Sequence, residues 1–149
     1  MKNALQYSLK DGYQEMDFDK ITDMLAGTYW SPGIKKPEVV QGAQNSALVV
    51  GAFTPENKQI GYSRVVSDKT RFAYILDVIV DEAFRKQGIG QTMIRHILKH
   101  PELKDVYQWI LITKDAHGVY QKAGFNPVAR PQDWLEIRHT RPDRMDFNP

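Results

Sequence analysis

The sequence predicts a mixed α/β domain in which an antiparallel meander of strands leads into a β-α-β crossover. Three observations carry that expectation. Phe72 to Val80 (FAYILDVIV) is rich in Ile, Val and aromatics and apolar on both alternating faces, the pattern of a strand covered on both sides in the middle of a sheet. The stretch ending QTMIRHIL follows as an amphipathic helix: Ile89, Met93 and Ile97 recur every four residues, and Gly90, Ile94 and Leu98 do the same one step on. Ahead of Phe72, two strand-like stretches are joined by polar turns, as hairpins require.

Each element has its own local reason. Leu5, Tyr7 and Leu9 alternate and predict a first strand. Asp17 or Asp19 can cap a helix whose apolar stripe is Phe18, Ile21, Met24 and Leu25 and which Gly27 stops. Thr28-Tyr29-Trp30-Ser31-Pro32-Gly33 is then a loop with two large aromatics and two breakers. Pro37 suits the first turn of a second helix carrying Val39, Val40 and Ala43, which fades at Asn45-Ser46. Strands are expected over Ala47 to Phe53 and Ile60 to Val66, with turns at Thr54 to Lys58 and Ser67 to Lys69. Beyond the long helix, His100-Pro101 breaks the chain and Gln108 to Thr113 predicts a fifth strand. Asp115 can cap a helix with Ala116, Val119, Tyr120 and Ala123 inward and Gly124 at its end. A last strand is expected around Trp134 to Ile137, and the tail TRPDRMDFNP is expected to be loosely ordered.

Composition sets bounds. A chain of 149 residues suits one domain, expected over 1–149, large enough to bury a core without staples. The absence of cysteine excludes a disulfide framework, a thiolate nucleophile and a Cys-based metal site. The polar start MKNALQYSLKDG and short apolar runs predict neither a signal peptide nor a membrane span, so a cytoplasmic protein is expected. A net charge of +2, with the basic residues scattered, argues against nucleic acid as a partner.

Between the central strand and the long helix lies Arg85-Lys86-Gln87-Gly88-Ile89-Gly90. Two glycines at a helix start let backbone approach a ligand, the first-turn N–H groups have no partner within the helix, and Arg85 and Lys86 add positive charge. Such a turn suits an anion. It is not a Walker loop, because Gln91-Thr92 stands where Lys-Ser/Thr is required. Nor is it a dinucleotide fingerprint, because Met93 occupies the third glycine position and about seven residues separate the turn from the strand.

Arg-x-x-Gly-x-Gly after a strand ending Asp77-Val78-Ile79-Val80 resembles the pyrophosphate-binding pattern of the GNAT superfamily of acyl-CoA-dependent N-acetyltransferases. Val119-Tyr120-Gln121-Lys122-Ala123-Gly124-Phe125 is similar to that family's Leu-Tyr-x-x-x-Gly-Phe segment, and the order of elements matches as well. The resemblance implies a GNAT-like fold, acetyl-CoA as co-substrate and an amine acceptor on a small molecule or peptide, in a monomer or homodimer. It implies a cofactor surface of Arg85, Lys86, Gln87, Gly88, Ile89, Gly90 and Gln91. The backbone of Val78, Ile79 and Val80 would hold the thioester and pantetheine where the family's central strand bulges, and Tyr120 would lie near the CoA sulfur. One departure is the turn Thr113-Lys114-Asp115, where many members carry Asn.

The chemistry explains why such parts are wanted. An alkylamine with pKa about 10.4 is only about one part in a thousand neutral at pH 7, so a base is useful. The departing thiolate, from a thiol of pKa roughly 8.5, needs a proton donor such as Tyr120. Asp77 is the only charged residue between Phe72 and Val80. It either pairs with a neighbour such as Arg64 or serves the acceptor amine as base. Trp30 either plugs the core or, with Tyr29, lines an acceptor pocket, as the loop after the first helix often does in that family. His96 and His100 are four apart, but Ile97 stands where a His-Glu-x-x-His zinc site needs its Glu, and no metal is expected. His117 lies in the first turn of the helix bearing Tyr120, and His139 near the end. Two readings from other classes remain: a CoA-binding regulatory module without turnover, and an interaction domain marked by Trp30 and Trp134.

Overall fold

Helix caps and strand periodicity place most of the elements where the sequence puts them. The structure, a computed structural model, describes residues 4–139. It comprises β1 (Ser8–Asp11), α1 (Phe18–Ala26), α2 (Lys36–Gln44), β2 (Leu48–Phe53), β3 (Gln59–Ser67), β4 (Phe72–Val80), α3 (Ile89–Leu98), β5 (Gln108–Ile110) and α4 (His117–Gln121), with short 3-10 turns between several of them. Asp17 caps α1 by accepting the Lys20 N–H at 3.1 Å, and Gly27 ends that helix. Pro37 sits in the first turn of α2, where its missing N–H costs nothing.

The strands form one five-stranded sheet in the order β1-β2-β3-β4-β5. All neighbours are antiparallel except β4 and β5, which run parallel because α3 crosses between them. Each face of the sheet has its own core. Ile89, Met93, Ile94 and Ile97 of α3 pack on Val50, Ile60, Val65, Ala73 and Ile75. On the other face, Ile21 and Leu25 of α1 and Val39 and Ala43 of α2 cover Val49, Phe53, Tyr62 and Ile79. That double covering accounts for a β2 in which every residue is buried.

A strand keeps one face at every second residue, yet Ala73 and Ile75 face α3 while Ile79 faces α1 and α2. The register shows why: Arg64 pairs with Leu76 and Tyr62 with Ile79, so Asp77 and Val78 together oppose Ser63. This is a β-bulge, with Asp77 in the left-handed region at φ 56°. After it the faces swap, and Val78 and Val80 pack toward α3.

Four expectations need correction. Leu5, Tyr7 and Leu9 do pack on the α3-side core, but pairing with β2 runs over Ser8–Asp11, because alternation marks a face and not a hydrogen-bond partner. The fifth strand ends at Ile110 instead of Thr113, since β4 and β5 pair only over Phe72–Tyr74 and Gln108–Ile110 and then part. Asp115 does not cap α4: the preceding-residue position is Ala116, whose N–H bonds the Thr113 hydroxyl at 3.1 Å. Trp134 to Ile137 forms no strand. A 3-10 turn at Pro131–Asp133 leads into it, and Leu135 and Ile137 are 95% and 88% exposed, so no neighbour backbone meets the segment among the described residues. The tail from 140 lies outside the described residues. No helix among them is long and apolar enough to cross a membrane.

Candidate active site

The site is built by the parting of two parallel strands. β4 runs on to Val80 after β5 has ended at Ile110, which opens a gap walled by the second half of β4 on one side and by Leu111 to Ala116 and α4 on the other. Cavities of about 670 Å³ and 810 Å³ open on its two sides, and they share Tyr29, Trp30, Val78, Asp115 and Ala116. The first reaches Tyr74, Arg64, Asp77 and Tyr120; the second runs along Val78 to Glu82 toward Arg85.

The bulge lies where the cavities meet. Asp77 is one of few non-glycine residues with positive φ, a conformation that Asp tolerates better than most side chains. Arg64 Nε donates to its Oδ2 at 2.7 Å and Trp30 Nε1 to its Oδ1 at 3.3 Å. The pairing of Asp77 with Arg64, one of the two readings open from sequence, is therefore present. Arg64 is itself held by the Gly42 carbonyl of α2 and by the Ser46 hydroxyl just beyond that helix, both at 3.5 Å.

Tyr120 projects from α4 into the wall of the first cavity and stacks edge-on against Phe125 at 6.2 Å. Burial, with smaller contributions from Tyr29 and Asp115, pushes its hydroxyl above the ordinary tyrosine value, so it keeps its proton well past neutrality. Gln91 Nε2 donates to the Val119 carbonyl at 2.8 Å, tying α4 to the first turn of α3.

That first turn has the features expected of an anion cradle. Gly88 is the residue before α3, at φ 81°, with no side-chain cap and nothing within 4 Å of where a Cβ would stand. Arg85, Lys86, Gln87 and Gly88 are exposed, and Lys86 is also left-handed at φ 64°. Ile89 is 1% exposed, so its side chain belongs to the core and only its backbone can face a ligand. Ile79 is similarly buried in the opposite core, while Val78 and Val80 pack partly toward α3.

Tyr29 and Trp30 serve both purposes weighed from sequence. Trp30 packs against the α1 and α2 core and also lines both cavities. Tyr29 is 52% exposed, contacts Trp30 edge-on at 5.0 Å and accepts the Lys114 N–H at 3.1 Å, bridging the gap at its mouth. Two lining residues escaped the sequence reading. Tyr74 reads as one more aromatic of a buried strand, although it precedes the bulge on the face opposite Ala73 and Ile75; Arg138 directly follows the segment expected as a strand.

His96 and His100 lie away from this gap, beside Asp11 of β1. The carboxylate that faces them comes from a strand 85 residues earlier than His96. His117 sits at the start of α4.

Comparison with known proteins gives this geometry its context. Across residues 45–127 the chain matches the family model of the acetyltransferase (GNAT) domain. It is 28% identical over 95 residues to an uncharacterized N-acetyltransferase of Gracilaria tenuistipitata var. liui, a match covering 60% of this chain and 49% of that protein. The chain thus spans about half the length of this curated relative. It is similar to a structure assigned to the gnat family from Xanthomonas campestris pv. campestris, with 29% identity, a TM-score of 0.83 and coverage of 92% of this chain and 96% of that one. The fold also matches that of a protein from Clostridium acetobutylicum described as a predicted acetyltransferase, in a structure with acetyl-CoA, at 16% identity and a TM-score of 0.68 over 89% of this chain and 96% of that one. With more than half of its length matched by the family model, and a mixed sheet that parts beside a bulged central strand, the chain belongs to the GNAT acetyltransferase family.

Proposed function

We propose that the protein transfers an acetyl group from acetyl-CoA to a primary amine of a small molecule or peptide by direct attack. The observation that carries this reading is the gap between β4 and β5, where a cavity that runs along Val78 to Glu82 as far as Arg85, just ahead of the glycine turn, meets a cavity containing Asp77 and Tyr120. In this reading the pyrophosphate rests on the amides from Gln87 to Gln91, beside Arg85 and Lys86. The pantetheine runs along Val78 to Val80, whose backbone supplies donors to the developing oxyanion. The acceptor enters past Tyr29 and Trp30.

Asp77 draws in the amine and takes its proton, directly or through a water. The neutral nitrogen attacks the thioester carbon, the C–S bond breaks as Tyr120 gives its phenolic proton to the departing sulfur, and the proton that the acylated nitrogen then sheds restores the phenol, by way of solvent. Arg64 and Trp30 hold the carboxylate in place for this step. Support for Tyr120 as donor comes from its burial at the gap, which preserves the protonated form.

The test is release of free CoA from acetyl-CoA against a panel of amines, read with a thiol reagent. The chain has no cysteine, so the reagent sees CoA alone. Amine-dependent release is the expected result. Binding of acetyl-CoA without release for any amine would favour a regulatory module, and no binding at all would favour an interaction domain.

A further inference from the structure

At the end of α3 opposite the glycine turn, side chains from three segments converge. Asp11 ends β1, His96 lies in the last turn of α3, and His100 lies just beyond it. His96 Nε2 is 2.7 Å from Asp11 Oδ1, His100 Nε2 is 3.0 Å from Asp11 Oδ2, and one potential ligand atom from each residue lies within 4.8 Å of the others. We propose that this cluster binds a divalent transition-metal ion of the imidazole-preferring kind, with Zn²⁺ as its probe, at a site separate from acetyl transfer.

The donor chemistry selects the ion. Two imidazole nitrogens and one carboxylate oxygen suit Zn²⁺ and its neighbours, whereas Mg²⁺ and Ca²⁺ prefer all-oxygen sets. The site sits at a helix C-terminus, where the unpaired carbonyls favour positive charge. A cavity of about 520 Å³ borders Asp11 and His100, with Tyr13 and Glu102 in its wall, so a fourth coordination position opens onto water.

The resting hydrogen bonds define what loading must change. His100 Nδ1 accepts the Glu102 N–H at 3.2 Å, which fixes the neutral ring with its proton on Nε2, donated to Asp11. Coordination through Nε2 moves the ring proton to Nδ1 and releases the Glu102 contact, so the turn at Pro101–Leu103 shifts on binding. The bound ion then clamps the edge strand β1 to α3, which covers the sheet.

The experiment uses the full chain without an affinity tag, stripped with a chelator and titrated with ZnCl₂ by calorimetry, with melting followed in parallel. One Zn²⁺ per chain and a raised melting temperature are expected. His96→Gln and Asp11→Asn should each weaken binding at least ~10-fold, while His117→Gln, outside the cluster, leaves it unchanged. No heat and no melting shift up to about 1 mM Zn²⁺ would overturn the proposal, as would undiminished binding in both variants. Co²⁺ loading of the wild-type chain decides the matter should a variant not fold: a visible band of nitrogen-ligated cobalt supports the site, and the spectrum of aqueous cobalt refutes it.

Discussion

Replacing Asp77 with Asn distinguishes a carboxylate that handles a proton from one that only anchors Arg64. Asn tolerates a φ of 56° about as well as Asp, so the bulge should persist. What disappears is the charge opposite the guanidinium, in a pair at 2.7 Å whose side chains retain 21% and 12% exposure. Hydrogen bonds to charged groups contribute roughly 1.5–3 kcal/mol, and at about 2–4 °C per kcal/mol for a chain of this size the melting temperature should fall by ~3–12 °C. Turnover is the independent axis. Loss of one acid-base group costs ~100-fold or more, so kcat near neutrality should fall by at least that factor while acetyl-CoA affinity holds. The neutral fraction of an amine of pKa about 10.4 rises tenfold per pH unit, so the deficit should shrink as the pH approaches about 10. The assay is CoA release across that range for both proteins, with thermal melts. Wild-type turnover at neutral pH, or a deficit that stays constant with pH, would refute the base role and leave Asp77 as the anchor of Arg64.

Further outcomes follow from the same structure. Tyr120→Phe keeps the ring packed on Phe125, so binding should survive while the chemical step slows by ~100-fold or more; single-turnover kinetics check this, and an unchanged rate reduces Tyr120 to packing. Because burial shifts its ionisation above that of an ordinary tyrosine, which loses its proton near pH ~10, the donor form persists to that pH and any loss of wild-type rate from Tyr120 should begin only above it. Gly88→Val meets no atom within 4 Å but puts a β-branched residue at φ 81°, which should lower stability by at least ~1–2 kcal/mol and project a side chain over the helix amides. Calorimetry should then show weakened acetyl-CoA binding, and wild-type affinity in the folded variant would remove the anion cradle from the assignment. Tyr62 carries a fully buried hydroxyl with no partner among the described residues, and burial suppresses its ionisation. Tyr62→Phe should raise stability by about 1 kcal/mol, or ~2–4 °C; a lower melting temperature would mean that the hydroxyl has a partner, such as a buried water.

Local signals were enough for much of this molecule. The cap at Asp17, the apolar stripe of α3 and the apolar run of β4 are encoded within a few residues each, and these elements fall where the sequence puts them. The glycine turn was legible for the same reason, since its glycines and its helix start are neighbours. Long-range pairing was not. Leu111 to Thr113 and Trp134 to Ile137 both lie in stretches of strand-like composition, but whether a backbone lies alongside depends on where β4 and β5 part, and side-chain patterns do not record that. The third member of the Asp11, His96 and His100 cluster is likewise invisible to spacing, because antiparallel pairing of β1 with β2 is what carries Asp11 to the end of α3. At Asp77 the sequence posed the question correctly, as a lone charge in an apolar strand with Arg64 as a candidate partner, and the structure shows that partner and adds Trp30.

The bulge at Asp77 also governs which lengths of chain this fold tolerates. It makes the number of residues in β4 a parity switch. Deleting one residue there would restore the unbroken alternation, turn Ile79 toward α3 and expel Val78 and Val80 to the opposite face, exchanging the occupants of two cores at once. An insertion beside the bulge would do the same. Natural length variation should therefore be absent between Phe72 and Val80 and gather in turns such as Thr54 to Lys58, where an added residue changes no face. The same reasoning marks out for protein engineers a strand in which a frame-preserving indel does more damage than most substitutions.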